Sequence, residues 1–342
     1  MALPQRNEAT VSTDTSETPA MADSKRRRAH AAPSIQRYAL LIALVVVIAV
    51  FSALQPATFF TIGNLTTILS TQAALVILAI GVTIALLVGE FDLSVASVMG
   101  MSASAVAYFT TNAGMDPVAA CLVALVLSVA VGAVNALFVV KLGINSFIVT
   151  LGMGTLVTGL AVGAFGSMTI GGLPDGFTAV FQTQLHGVQL SFIYMIVIGV
   201  CFYIALGFMP VGRSMFFTGN ARKAAMLAGI RTNRIRTVSL ILASVLSALA
   251  GIVLSGQTAA ASPTIANAFL LPAYAAVFLG STAFTPGRFN VWGTIWAVYF
   301  LAVGTTGLQF LGLQSWVVNV FEGAVLILAV AFAEIFARSS RH

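Results

Sequence analysis

The sequence predicts an all-α, polytopic membrane protein with about ten transmembrane helices. Apolar residues make up 59% of the 342 residues and charged residues only 8%, whereas soluble domains carry about 25% charged residues. The mean hydropathy is +1.00. Ten apolar runs follow one another, and the basic residues fall in alternate gaps between them. These three features together predict helices that cross a bilayer repeatedly.

Residues 1–37 form a polar tail before the first apolar run. They are rich in Ser, Thr, Pro and Ala and include the basic cluster Lys25-Arg26-Arg27-Arg28. Such a composition cannot bury enough apolar area to fold, so we expect a disordered cytoplasmic tail. The tail is not typical of a cleavable signal, because apolar residues begin only near Tyr38.

Most of the apolar runs reach the roughly 20 residues that a helix needs to cross a hydrocarbon core. Two are weaker: 93–110 is rich in Ser, Ala and Gly, and 269–284 is short and contains Pro272. Either of these two is predicted to be a broken or partly re-entrant helix. The ten runs are 38–54, 66–88, 93–110, 117–140, 146–165, 189–209, 237–256, 269–284, 292–312 and 316–336.

The charge distribution tests this count independently, because the runs were chosen by apolarity alone. If the N-terminus is cytoplasmic, all sixteen Lys and Arg residues fall in the tail, in cytoplasmic gaps or at the C-terminus. The opposite gaps contain none. Positively charged loops stay in the cytoplasm, so we predict a membrane domain over 38–336, with the tail and the end at 337–342 both cytoplasmic.

The longest polar interruption lies at 212–236, which we call the basic segment. It holds six of the sixteen basic residues. Asn220 is predicted to cap a helix over 221–228, and Gly229 to end it in the left-handed conformation. A helix of about eight residues is marginal alone in water. We therefore predict that a partner packs on its small apolar face, which is formed by Ala221, Ala224, Ala225 and Ala228.

An alternative is that the basic segment is an amphipathic connector on the membrane surface. Its basic residues would then be explained by nearby anionic lipid headgroups. Composition alone favours this simpler interpretation.

Two stretches suggest an internal repeat. LGINSFIVTLGMG at 142–154 aligns without a gap with LGLQSWVVNVFEG at 311–323. Under the ten-span count the first enters the membrane from inside and the second from outside. This arrangement predicts an inverted repeat, as in transporters whose pathway runs between two halves. The alternative is chance recurrence of Gly, Ser and β-branched residues in apolar helices.

The stretch 86–100 contains two carboxylates, Glu90 and Asp92, between apolar runs. Each buried charge costs at least ~2.5 kcal/mol in a membrane, so a position inside it requires a partner or a water-filled cavity. Asp92 can instead cap the following helix through the N–H groups of Ser94 or Val95. The two roles are compatible, because the N-terminus of a broken helix also supplies hydrogen-bond donors for a polar solute.

A further carboxylate, Glu322, lies inside the last apolar run. It is either hydrated near the outer interface or faces the pathway. The candidate residues of a substrate pathway are Glu90, Asp92, Ser94, Ser97 and Glu322.

The basic segment resembles the cytoplasmic loop of permeases from ribose-type ABC sugar importers, a family shared with branched-chain amino acid permeases. Gly219-Asn220, Ala224-Ala225 and Gly229-Ile230 stand in the family's order. The stretch 86–100 is similar to the family's Gly-Gly-Ile-Asp-Leu-Ser-Val-Gly-Ser. It departs from that pattern at three positions, Glu90, Phe91 and Ala96.

A third similarity lies in 278–294, the family's second glycine-rich segment. The matching residues are Gly280, Gly287, Gly293 and Thr294. The resemblance covers about residues 38–336.

The resemblance implies a permease subunit that moves a ribose-, xylose- or galactose-like monosaccharide across a bacterial inner membrane. Its partners would be a cytoplasmic ABC ATPase, a second permease subunit, identical or homologous, and an extracytoplasmic sugar-binding protein, besides membrane lipid. ATP and Mg would be bound by the ATPase, with no cofactor in this chain. The six residues Gly219, Asn220, Ala224, Ala225, Gly229 and Ile230 would couple the chain to the ATPase.

Several classes of function are disfavoured. The chain contains no G-x-x-x-x-G-K-[ST] phosphate loop and no HExxH or Cys-His metal spacing. We therefore expect no enzymatic activity of its own. Its basic residues occupy short gaps without interleaved aromatic residues, which does not indicate nucleic-acid binding. Two other functions remain open: a proton- or sodium-coupled carrier that uses Glu90, Asp92 or Glu322, and a passive channel or membrane anchor.

Overall fold

The computed structural model describes residues 38–339, with side chains described up to residue 333. The predictions for the tail at 1–37, and for the last three residues, fall outside this part. Within it the chain is almost entirely helical, and the predicted all-α, polytopic fold class is confirmed.

The elements follow the apolar runs closely. The α-helices are α1 (Tyr38–Leu54), α2 (Ile62–Thr71), α3 (Ala73–Leu87), α4 (Val95–Thr111), α5 (Pro117–Ala136), α6 (Ser146–Phe165), α7 (Asp175–Gln182), α8 (Leu190–Gly207), α9 (Pro210–Asn220), α10 (Arg222–Leu227), α11 (Thr232–Thr258), α12 (Leu270–Gly280), α13 (Val291–Phe310) and α14 (Ser315–Ser339). A π-helical turn (Leu137–Lys141) extends α5, and a 3-10 turn (Ile265–Phe269) precedes α12.

Seven helical segments in the described part are long and apolar enough to cross a membrane. Three shorter apolar segments accompany them: Tyr38–Leu54, Val95–Thr111 and Ile265–Gly280. Each of the ten apolar runs thus corresponds to a helical segment, while the number that crosses the bilayer stays a prediction.

The core forms around α3 and α11. Every residue of α3 is buried, and α11 packs against α3, α4 and α5. Gly251 lets α11 approach α4 closely, because a Cβ there would overlap the carbonyl oxygen of Met99. Small residues allow such close contacts where apolar lipid removes the usual hydrophobic driving force.

The second apolar run contains a break that the sequence did not reveal. α2 ends and α3 begins on either side of Gln72. Tyr299 donates a hydrogen bond to the Leu69 carbonyl at 3.0 Å, and the Gln257 side chain donates one to the Ser70 carbonyl at 2.7 Å. Carbonyl groups around a break inside a membrane need such partners, and distant side chains supply them here.

The two runs predicted to be broken behave differently from each other. α4 is continuous over Val95–Thr111, so this run is not broken, and the alternative of a partly re-entrant helix stays a prediction. Before α12 the chain turns back, and the backbone of Pro263 reaches Gly100 on α4. α12 then begins two residues before Pro272, which lies in its first turn, where proline is tolerated.

Two short antiparallel strand pairs lie in the connections 166–189 and 259–264. β1 (Ile170–Gly171) pairs with β4 (Ala260–Ala261), and β2 (Gln184–Leu185) pairs with β3 (Val188–Gln189). The first pair joins two gaps that the ten-span count assigns to the same outer side.

The two stretches of the predicted repeat have the same local conformation. α6 begins at Ser146 and α14 at the aligned Ser315. The glycine three residues earlier has a φ of 72° in both, at Gly143 and at Gly312. Such positive φ values favour glycine. The inverted relation between the two halves stays a prediction.

Candidate functional site

The basic segment folds into two helices, α9 and α10, and not into one. α9 runs on through Asn220, and the Ala221 N–H still bonds the Phe217 carbonyl at 3.0 Å. Asn220 is therefore helical and cannot cap the next helix, so this prediction is wrong. The break occurs at Ala221, whose φ of −146° and ψ of 67° are not helical. α10 has six residues, Arg222–Leu227.

Gly229 ends α10 in the predicted left-handed conformation, with a φ of 81°. The Ile230 N–H returns to the Ala225 carbonyl at 3.0 Å, and the Gly229 N–H bonds the Met226 carbonyl at 3.0 Å. Such bonds satisfy carbonyl groups at a helix end, where a left-handed residue reverses the chain.

The exposed surface around α10 includes three of the four alanines of the predicted face, together with two larger apolar side chains. Among the four alanines only Ala225 is buried. Met226 is 50% exposed and Leu227 91% exposed. Ala225 thus packs inside the chain, while the other three alanines, Met226 and Leu227 stay exposed, and the partner predicted for this face stays a prediction.

Gly219 fixes the end of α9 against the end of α3. A Cβ at Gly219 would overlap the Leu87 carbonyl oxygen and would lie 3.1 Å from the Gly89 nitrogen. Gly89 itself has a φ of 80°. The basic segment therefore contacts the backbone of residues 88–94, which we call the α3–α4 junction.

Glu90 forms the second attachment between the junction and the basic segment. Its Oε1 accepts from Arg222 Nη2 at 2.7 Å and from Arg236 Nε at 2.6 Å. Glu90 and Arg236 side chains are only 5% and 10% exposed, whereas Arg222 is 39% exposed. Arg236 Nη2 also donates to the Val139 carbonyl at 3.4 Å. The charge of Glu90, which burial would otherwise penalise, is thus paired.

Asp92 is completely buried at the centre of the junction. Its Oδ1 accepts from the Ser94 N–H at 3.0 Å and from the Ser94 hydroxyl at 2.5 Å. The hydroxyl of Tyr274 on α12 accepts from the Asp92 N–H at 3.1 Å. The bond to the Ser94 N–H orders the turn just before α4, but the N-cap of α4 is Ser94 and has no side-chain cap bond, so Asp92 does not cap this helix as predicted.

Two hydroxyl groups on α6 hold the backbone of the junction. Ser146 Oγ accepts from the Phe91 N–H at 3.1 Å. Thr150 Oγ1 accepts from the Leu93 N–H at 3.0 Å and donates to the Phe91 carbonyl at 3.2 Å. Both residues are buried, so these bonds replace water for polar backbone groups.

We expect Thr150→Val to destabilise the folded chain, because an isosteric methyl group leaves the Leu93 N–H without its acceptor. The loss should be about 1–3 kcal/mol, the usual cost of an unsatisfied buried donor. Thermal unfolding of the purified protein in detergent measures it. Thr155→Val is the matched control, since exposed Thr155 on the same helix bonds only the Leu151 carbonyl. Equal melting temperatures for the two variants would contradict the expectation.

The remaining candidate pathway residues lie in different places. Ser94 also accepts from Asn135 Nδ2 at 2.9 Å, and Ser97 accepts from the Thr158 hydroxyl at 3.0 Å. Both serines are buried. Glu322 is half-buried on α14, which packs against α12 and α13. Glu90, Asp92 and Ser94 are therefore close together, with Ser97 one turn further, whereas Glu322 belongs to another part of the fold.

Among the residues of this site that sequence reasoning missed are Arg236, Tyr274 and Thr150. Arg236 carried a signal, because it lies one turn inside the long apolar helix α11 and so needs a partner. No feature of the local sequence indicated Tyr274 or Thr150, because their roles depend on contacts with a segment far away in the sequence. Among the described side chains, residues 38–333, no three His, Cys, Asp or Glu residues are grouped as they would need to be to hold a metal ion.

The third motif lies at the same end of the molecule. Gly280 and Gly293 bring α12 and α13 into backbone contact, and Thr294 shares a 3.1 Å hydrogen bond with Thr83 on α3. Between these helices, Arg288 lies 4.0 Å above the ring of Phe216 on α9. A cavity of about 260 Å³ lies here, lined by residues of the junction, of the basic segment and of the α12–α13 connection. Its lining includes Leu87, Gly89, Phe91, Gly219, Asn220, Gly287 and Arg288.

All three motifs that carry the resemblance thus meet at one end of the bundle. A family model described as "Branched-chain amino acid transport system / permease component" matches residues 64–330. The chain belongs to this permease family. The resemblance to ribose-type permeases is confirmed.

The relatives include permeases named for sugar import. Ribose import permease protein RbsC of Bacillus subtilis is 30% identical over 90% of this chain and 95% of its own length. The protein of the same name from Escherichia coli K12 is 32% identical over 85% and 91%. The D-allose transport system permease protein AlsC of Escherichia coli K12 is 26% identical over 88% and 93%. No solved structure gives a significant match.

Proposed function

We propose that this chain is the membrane-spanning subunit of an ABC importer for a monosaccharide such as ribose, xylose or galactose. Membership of the permease family supports transport, and the relatives named for ribose and D-allose support a sugar as the substrate. ATP hydrolysis takes place in a separate cytoplasmic ATPase, which binds ATP and Mg. A second permease subunit and an extracytoplasmic sugar-binding protein complete the importer.

The observation that carries this proposal is the outward face of α10. Leu227 and Met226 are exposed on a helix of only six residues. So short a helix is not stable by itself, and here it is held by Gly219 and by the Glu90 ion pairs. An exposed apolar anchor on a fixed, basic element suits a protein partner. We assign that partner to the ATPase.

The geometry suggests how the partner acts. Closure of two ATPase subunits displaces α10, and the rigid contact between Gly219 and Leu87 passes the displacement to the end of α3. The inner ends of α3, α4 and α6 meet at the junction, so movement there alters access from the cytoplasmic side. Asp92, Ser94, Ser97 and Glu322 remain candidates for residues that shape the sugar pathway.

The importer lies in the bacterial inner membrane with both termini in the cytoplasm. This orientation follows from the predicted distribution of basic residues. Membrane-impermeant labelling of a cysteine introduced at Lys223, in a variant without Cys121 and Cys201, tests it. Labelling from the outside of intact cells would contradict the proposal.

Leu227→Glu is expected to lower co-purification of the ATPase at least about tenfold, because it places a charge at the centre of an apolar contact. The amount of permease in the membrane should not change, since Leu227 is 91% exposed. Leu185→Glu is the matched control, because Leu185 is 52% exposed in the β2–β3 hairpin, far along the chain from α10.

Sugar uptake by vesicles measures the same proposal functionally. Uptake should require ATP and should fail in Leu227→Glu. Uptake that persists without ATP and collapses with an uncoupler would indicate a proton-coupled carrier and would overturn the proposal. If the Leu227→Glu variant retained as much ATPase as the Leu185→Glu control, α10 would not be part of the interface with the ATPase.

A further inference from the structure

Glu90 joins three elements through one carboxylate. It lies in the α3–α4 junction, while its two partners lie on α10, at Arg222, and on α11, at Arg236. Both ion pairs are short, at 2.7 and 2.6 Å. Position 90 is also one of the three at which the chain departs from the Gly-Gly-Ile-Asp pattern. The family motif therefore gives no reason for a carboxylate here.

The burial of this cluster makes its geometry important. Glu90 and Arg236 are nearly removed from solvent, and charges interact strongly where water cannot screen them. One carboxylate faces two guanidinium groups, so the cluster has an excess positive charge. If Glu90 were neutral, Arg236 would be a buried cation with only the long contact to the Val139 carbonyl. The ion pairs therefore hold α10 and α11 firmly to the junction.

The junction in turn holds three other helices. Its backbone N–H groups donate to Ser146 and Thr150 on α6 and to Tyr274 on α12. The hydroxyl of Ser94 accepts from Asn135 on α5. A displacement of the junction therefore reaches α5, α6 and α12 through hydrogen bonds, besides α4, which begins directly after it.

The two attachments of the basic segment differ in the forces they transmit. The contact of Gly219 with Leu87 is a van der Waals contact, which resists compression and offers little resistance to separation. The ion pairs of Glu90 attract, so they also resist separation. A transport cycle must move the inner ends of the helices in both directions, and the return movement needs an attractive connection.

We propose that Glu90 is a positioning residue that connects α10 to the transport helices, and that it is not part of the sugar pathway. When the ATPase draws α10 away, Arg222 and Arg236 carry Glu90 with them. The junction then moves α4, α6 and α12 together. This assignment rests on the proposed importer function and replaces the substrate-pathway role considered for Glu90 from the sequence.

The test uses the complete importer in vesicles, with this chain, its ATPase and its binding protein. Hydrolysis of ATP and uptake of radiolabelled D-ribose, D-xylose and D-galactose are measured in the same preparation. Glu90→Gln should retain the ATPase and hydrolyse ATP within about twofold of the parent, while uptake per ATP falls about tenfold, as expected for lost coupling between two sites. Asp175→Asn is the control, since it removes an exposed carboxylate from α7.

A second variant separates coupling from folding. Glu90→Gln with Arg236→Met removes the unpaired buried cation, so the melting temperature and the amount of complex should recover. Uptake per ATP should stay low, because no attraction connects the junction to the basic segment. Glu90→Asp retains the charge on a shorter side chain. Its uptake per ATP hydrolysed should lie between those of the parent and of Glu90→Gln.

Three outcomes would overturn the assignment. In the first, Glu90→Gln lowers uptake and ATP hydrolysis equally, and only as much as it lowers the amount of folded complex. In the second, uptake recovers in the double variant, and in the third, Glu90→Gln leaves uptake unchanged. Failure of the proposed function would be seen without any substitution, in the importer assembled with the unsubstituted chain, which we call the parent. A parent that hydrolyses no ATP with the ATPase, or that accumulates sugar without ATP, would reject the importer itself, and the assignment of Glu90 with it.

Discussion

Gly219→Val is expected to remove most of the folded protein from the membrane. A Cβ at this position would overlap the Leu87 carbonyl oxygen and lie 3.1 Å from the Gly89 nitrogen. Both are backbone atoms, so a side chain cannot turn aside to relieve the overlap. Overpacking of this kind costs about 1–3 kcal/mol, and more where the neighbours cannot move. α9 would have to leave the junction, and with it the ion pairs of Glu90.

Gly207→Val is the matched control for this substitution. Gly207 ends α8, and no atom lies within 4 Å of a Cβ placed there. The measurement is the amount of monodisperse protein extracted from membranes, followed by co-purification of the ATPase. We expect the control to resemble the parent in both. A Gly219→Val protein that is as abundant and as well assembled as the control would show that α9 and α3 are not rigidly packed.

Hydropathy could predict the helices because a membrane leaves the backbone few alternatives. A segment in lipid must satisfy its own N–H and carbonyl groups, so a long apolar run becomes a helix. The run predicted at 146–165 is α6, Ser146–Phe165, and the run at 38–54 is α1, Tyr38–Leu54. Polar neighbours set these ends, and they can be recognised locally.

The break at Gln72 could not be predicted in this way. It depends on Tyr299 and Gln257, which lie 230 and 187 residues away from the carbonyl groups they bond. The N-cap predicted at Asn220 failed for a related reason. Asn is a common capping residue, but packing of Gly219 against Leu87 holds this part of the chain in α9. Tertiary contacts overrode the local preference in both cases.

Only part of the candidate site could be predicted from the sequence. Its charged residues were visible, since Glu90 and the basic segment both interrupt apolar runs. Their pairing was not, because Glu90 is separated from Arg222 and Arg236 by 132 and 146 residues. In the predicted topology, Glu90 follows an apolar run at its cytoplasmic end, on the side to which all the basic residues are assigned. That consideration favours an arginine partner over a place in the pathway.

The second large effect is expected for Arg236→Met, which should strongly destabilise the membrane domain. Methionine replaces the side chain with a shorter, unbranched one that carries no charge. Glu90 then keeps only Arg222, which is 39% exposed. Removing one partner of a buried ion pair typically costs about 3–5 kcal/mol, and we expect a loss at the lower end of this range because Glu90 keeps its bond to Arg222. The melting temperature in detergent and the amount of protein in the membrane measure the loss.

Arg234→Met provides the control on the same helix, since Arg234 is exposed and forms no ion pair within the described part of the chain. If the loss arises from a buried carboxylate left with one partly exposed partner, adding Glu90→Gln to Arg236→Met should restore most of the stability. If it arises from lost packing, the second substitution should add to the first, as it does for independent effects. A melting temperature for Arg236→Met equal to that of the control would mean that the ion pair contributes nothing to the fold. The attractive connection between the basic segment and the junction would then have to come from other contacts.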